Sequence, residues 1–150
     1  MKPNKALVMA GFTAITLNTI MLKLAKAFGI KAESGGLLKL ALRMLTGSFS
    51  SVPFIKTDWF WILFHFATGA VMVVIYPAFF GRLPLSTFIK GLLFSLFPWV
   101  INGIIVLPLL NQGLFGLRAL PISGVFYFFL ANLLFGFTLS YLYKVFTRSN

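Results

Sequence analysis

Four long apolar runs, separated by short polar or glycine- and proline-containing stretches, constrain this chain more than any other feature. They fall at residues 6–28, 59–80, 90–110 and 121–146. A bilayer core about 30 Å thick needs about 20 predominantly apolar residues to cross as a helix. The pattern therefore predicts an all-α integral membrane protein, a four-transmembrane-helix bundle in one domain with both ends on the same side. Composition agrees. Of 150 residues 59% are hydrophobic and only 10% are charged, against about 25% charged in an ordinary soluble domain. The 19 phenylalanines suit a surface that faces acyl chains.

Each run carries its own boundary signals. The first follows Lys2 and Lys5, and Lys23 and Lys26 can snorkel near its end. A signal peptide is the rival for this segment, with Ala25-Lys26-Ala27 as a cleavage-like site. The apolar stretch is long for that role, and a lysine sits inside the site, so retention is expected. The second run opens at Asp58 with Trp59 and Trp61 as an aromatic belt. The third contains Pro98, where a kink is expected. The glycine-rich connection 111–118 is apolar and should hug the interface. The fourth starts near Pro121, a favoured first-turn residue.

Between the first two spans, residues 35–47 read as an amphipathic helix too short to cross. Lys39, Arg43 and Thr46 share one stripe and leucines cover the rest, with Ser34 as N-cap and Gly47 as stop. Such a helix lies in the interface, with Lys39 and Arg43 against anionic headgroups. The net charge of +11 fits the same partner, because the bases border apolar runs; nucleic acid is not expected. The basic residues divide almost evenly between the two sides. The short Arg82 loop and the basic termini favour cytoplasmic ends, while the long basic loop argues the other way.

Function classes are narrowed by what the chain lacks. It has no cysteine, and its only carboxylates are Glu33 and Asp58. Thiolate chemistry is excluded, the placing of the two carboxylates at span edges or in loops argues strongly against a hydrolase, and no catalytic role is expected. The informative groups are polar residues within the spans, since each must find a partner in lipid or cost free energy. Each span carries one notable amide or imidazole case: Asn18, His65, Asn102 and Asn132. In antiparallel neighbours all four fall at a similar depth, between the midplane and the long-loop side. Small residues share their faces: Gly11 and Ala14 with Asn18, Gly69 with His65, Ser95 with Asn102, Gly136 and Ser140 with Asn132. Two outcomes are open. The four polar groups bond across the bundle as structural contacts, or they line a cavity for a ligand, cofactor or proton.

His65 is the only histidine and the one candidate haem ligand, with Met72 nearby on its helix and Met9, Met21 or Met44 as further thioethers. Zinc is disfavoured because a protein site needs three or more ligands. The motifs His65-Phe66-Ala67-Thr68-Gly69, Trp99, Pro108-Leu109, Gly113-Leu114-Phe115-Gly116 and Asn132-Leu133-Leu134-Phe135-Gly136 resemble a family of small bacterial four-span membrane proteins of unknown function. The resemblance implies a fold and no activity. Where the family's pattern suggests a second histidine stands Asn132, which weakens a paired-histidine haem site. The leading expectation is an inner-membrane accessory subunit or interaction protein, with other subunits or its own copies as partners. The alternatives are a binding protein for haem, quinone or lipid at the His/Asn cluster, and an oligomeric pore or permease.

Overall fold

The computed structural model describes residues 2–32, 36–46 and 57–148. Four helices are long and apolar enough to cross a bilayer: α1 (Pro3–Ala27), α3 (Asp58–Phe79), the third span Thr87–Leu109, and α6 (Ile122–Arg148). The third span is composite, made of α4 (Thr87–Ile101), a π-helical segment (Asn102–Val106) and α5 (Leu107–Leu109). A shorter helix, α2 (Gly36–Thr46), lies between α1 and α3. No strand occurs among the described residues. The chain is a multi-pass membrane helix bundle. The cap expected at Ser34, the stop at Gly47 and the side chain of Thr46 lie outside the described part.

α1 and α6 form the centre. They run antiparallel, with Asn18 opposite Ala131 and Met21 opposite Tyr127. α3 packs on the other side of α1, and α4 on the other side of α6, so the order across the bundle is α3, α1, α6, α4. Burying leucine against lipid tails gains nothing, so helices in a membrane associate through close packing and hydrogen bonds. The sequence supplies small residues where that packing occurs. Ala6, Ala10 and Ala14 of α1 have no exposure at all. Gly11 faces Val73, while Ile15 faces Gly69, so each glycine of the α1–α3 pair receives the other helix's branched side chain. Between α4 and α6 the approach is closer still, since a Cβ on Gly136 would stand 2.5 Å from the Gly91 carbonyl and 2.7 Å from Ser95 Cβ.

At the short-turn end the spans are tied by polar contacts. Tyr76 Oη donates to Ser140 Oγ at 2.8 Å, and Ser140 donates to the Thr87 carbonyl at 2.8 Å. Lys90 Nζ donates to the Gly81 carbonyl at 2.8 Å, holding the turn against α4. Ser86 caps α4 through the Ile89 amide. Around these bonds Tyr76, Phe94 and Leu139 pack with at most 2% exposure. Tyr76 and Phe80 meet Phe94 edge-on at 5.1 and 5.2 Å.

The structure adds detail to two expectations. α4 continues through Pro98 to Ile101, and the departure from α geometry comes one turn later, at the π segment. Pro98 and Pro108 each lack an amide donor. The wider turn between them closes by Leu107 N–H bonding to the Asn102 carbonyl. The connection 111–118 also does more than hug the surface. Leu114 and Leu117 are exposed, but Phe115 folds back at φ 50° and stacks on Trp99, with ring centroids 4.4 Å apart. Gly103 leaves the space that Phe115 fills. A left-handed non-glycine residue costs of order 1–3 kcal/mol and persists only where its surroundings hold it.

Gly136→Val should force α4 and α6 apart at their closest point. Overpacking of this kind costs about 1–3 kcal/mol. The expected result is a lower unfolding midpoint in mild detergent, read by circular dichroism, with Gly136→Ala intermediate.

Candidate functional site

Because α3 packs on α1 and α4 on α6, the two outer helices meet closely only near the turn that joins them. Toward the long-loop side they diverge and leave a cavity of about 200 Å³. α1 and α6 form its back wall through Ile15, Asn18, Leu22, Phe128, Asn132 and Phe135. α3 contributes Trp61, Phe64, His65, Thr68 and Met72. Pro98, Asn102 and Leu107 face them from the third span, and Phe115 closes that side from the loop. Gly36, Leu37 and Leu38 at the start of α2, with Ala32 before it, cover the end.

All four intramembrane polar residues read from the sequence border this cavity. They differ in what they bond. Asn18 Nδ2 donates to the Ala131 carbonyl of α6 at 2.7 Å, and Asn18 Oδ1 lies 2.9 Å from His65 Nε2 of α3. A carbonyl can only accept, so the Ala131 bond assigns the amide nitrogen of Asn18. Its oxygen then requires a donor, and His65 must carry its proton on Nε2. In the neutral ring Nδ1 is left as an acceptor. One asparagine thus joins three spans. Asn132 is turned along its own helix, with Nδ2 donating to the Phe128 carbonyl at 2.8 Å. Asn102 begins the π segment, and its Oδ1 stands close to Gly36, where a Cβ would lie only 2.9 Å away. No hydrogen bond from the Asn102 carboxamide occurs among the described residues.

The two tryptophans read as a belt separate. Trp59 is 79% exposed and fits that role. Trp61 turns inward and stacks on the His65 ring, 5.0 Å away and within 8° of parallel. Lys23 Nζ lies 4.4 Å from the Trp61 centroid and 3.3 Å from Asp58 Oδ1. The pair is exposed, so it contributes at most about 1 kcal/mol. Its location at the mouth sets the boundary between the apolar cavity and the charged surface.

α2 behaves as a wall of the site. Leu38 and Leu42, one turn apart, are buried, while Met44 is 79% exposed. Arg43 Nη1 reaches the Leu109 carbonyl at the end of the third span at 3.4 Å. Neither Arg43 nor Lys39 borders the cavity. Trp61 and Phe115 are cavity residues that the sequence did not single out for that role. For Phe115 a signal existed, a lone aromatic between Gly113 and Gly116. For Trp61 there was one too, its i, i+4 spacing to His65.

The arrangement does not fit haem. His65 commits Nε2 to Asn18, one ring face is covered by Trp61, and the space is smaller than the about 300–1,000 Å³ of drug-sized pockets. No group of three His, Cys, Asp or Glu side chains able to hold a metal occurs among the described residues. Fold and site define a multi-pass helix bundle with a mainly apolar cavity among its spans, bordered by a few amides and one imidazole. Comparison with protein-family models, curated proteins and solved structures found no match to this chain.

Hydrogen bonds between membrane helices average about 0.6 kcal/mol, with a maximum near 1.7. A double-mutant cycle on Asn18→Ala and His65→Ala should give a coupling energy in that range by reversible unfolding in mixed micelles. Asn18→Ala should cost more than His65→Ala, because it also frees the Ala131 carbonyl.

Proposed function

We propose that this protein binds a small amphiphile taken from the bilayer, with no catalytic role of its own. The cavity carries this reading. It sits at the depth of the spans, its lining is mainly apolar, and it lies where α3 and α4 diverge. A lipid-soluble molecule can enter between those helices without crossing water. The sequence favoured an accessory subunit for want of any catalytic constellation; the cavity favours binding instead. A pore through one chain is disfavoured, because buried Tyr76 and Phe94 fill the bundle beyond the cavity. The volume leaves room for a head and the first carbons of a chain, whose remainder would lie between α3 and α4.

In the same proposal α2 lies along the membrane surface, with Lys39 and Arg43 toward anionic headgroups, and its first turn covers the cavity. The location is the inner membrane of a bacterium with both termini in the cytoplasm. Membership among the small four-span bacterial proteins that the chain resembles rests on the motifs around His65, Trp99 and Gly113.

Protein purified in mild detergent should retain a bound amphiphile, detected by native mass spectrometry. Thr68→Trp should fill the cavity and abolish that retention with little loss of stability, because Thr68 bonds only the Phe64 carbonyl of its own helix. A ligand-free wild-type preparation, or equal retention by the variant, counts against the proposal. Reporter fusions at the C-terminus should be fluorescent as green fluorescent protein and inactive as alkaline phosphatase; the reverse pattern would overturn the orientation.

A further inference from the structure

The polar groups around the cavity differ in what they still have to offer, and this deepens the proposed function, on which it rests, by naming the head group. Asn18 has its carbonyl oxygen engaged and one N–H committed. His65 has its Nε2–H committed, leaving Nδ1 to accept. Asn132 is 8% exposed, its Nδ2 is held by Phe128, and no donor among the described residues reaches its Oδ1. The Thr68 hydroxyl donates to Phe64 and can still accept. These acceptors come from α3 and α6. Across the cavity, the Asn102 carboxamide has both functions open.

No lining residue carries a formal charge. A phosphate or carboxylate head would be desolvated there, and the nearest cation, Lys23 at the mouth, is already paired with Asp58, so an anion is disfavoured. An ester or quinone carbonyl accepts only, and filling the cavity with it would cover Asn132 Oδ1, which is open to the cavity, without giving it a donor. A polar atom covered without a partner loses its water and gains nothing in return. A hydroxyl satisfies both walls at once, donating toward Asn132 or His65 and accepting from Asn102.

We infer that the cavity selects a neutral, single-chain alcohol, from either a fatty alcohol or an isoprenoid alcohol, by a hydroxyl shared between Asn132 or His65 and Asn102. The test is saturable binding of radiolabelled ligand to the full chain in nanodiscs of uncharged lipid at pH 8. Oleyl alcohol and farnesol are the two arms, with their methyl ethers and oleate as controls. At least one alcohol should bind with one-to-one stoichiometry, and the better arm names the source. Its methyl ether, which cannot donate, should bind at least fivefold more weakly, and oleate should compete poorly. Asn132→Leu and, separately, Asn102→Leu should each reduce the preference for alcohol over ether toward unity. Ether and alcohol binding alike, or oleate binding best, would overturn the hydroxyl selection while leaving an amphiphile site intact. Absence of saturable binding by the alcohols, ethers and oleate, in a preparation that carries no endogenous amphiphile, would remove both readings together.

Discussion

Backbone approach along α6 is the constraint on which the rest of this bundle depends. Lipid offers no hydrophobic drive to bring helices together, so two spans associate only where side chains let them come close. α6 meets α1 across the fully buried Ala6, Ala10 and Ala14 stripe, and meets α4 where Gly136 lies against Gly91. α3 is added to the far side of α1 by the exchange of Gly11 and Gly69 against Val73 and Ile15. Each outer span therefore has one main partner in the centre, with Tyr76 of α3 also reaching Ser140 of α6 at the short-turn end. Neither has the other along its length.

The cavity follows from that arrangement. At the short turn, chain connectivity and the Tyr76, Phe80 and Phe94 aromatics bring α3 and α4 together. Away from it the gap between them is lined by the cavity residues of both spans. α2 and Phe115 then narrow the opening from the long-loop end. The polar residues act at two levels. Asn18 ties α1 to α6 and, through His65, to α3, so it serves as a structural bond. Asn132 and Asn102 make no contact of that kind between spans. The two roles raised by the sequence, structural contact and ligand contact, fall on different residues of one layer.

An amphiphile-binding role gives these features a common purpose. Entry between α3 and α4 needs a bundle whose outer helices are not sealed together. On the proposed reading, an uncharged lining with spare acceptors would prefer a neutral head, with the Lys23–Asp58 pair outside the lining. A basic amphipathic helix at the covered end would hold the domain against anionic lipid. The one imidazole is bonded to an amide, and the carboxylate Asp58 lies outside the cavity.

Hydropathy and charge along the chain were enough to establish the number of spans, their approximate limits and the short basic helix between the first two. These are local properties: the length of an apolar run against bilayer thickness, and the spacing of Lys39 and Arg43 on one turn. The common depth of Asn18, His65, Asn102 and Asn132 could also be counted out, because antiparallel helices of known rise put positions at matching levels. Other features depended on which helix sat beside which. Trp61 and Trp59 are equivalent belt residues in the sequence, and only the position of His65 and Lys23 beside one of them distinguishes the pair. Phe115 reaches inward because Gly103 leaves a gap on another element. Pro98 was legible as a missing amide donor, whereas the π segment that follows it, between Pro98 and Pro108, was not. The cavity itself is a gap between elements. Its existence follows from α3 and α4 choosing different central partners, a pairing that no local pattern of residues encodes.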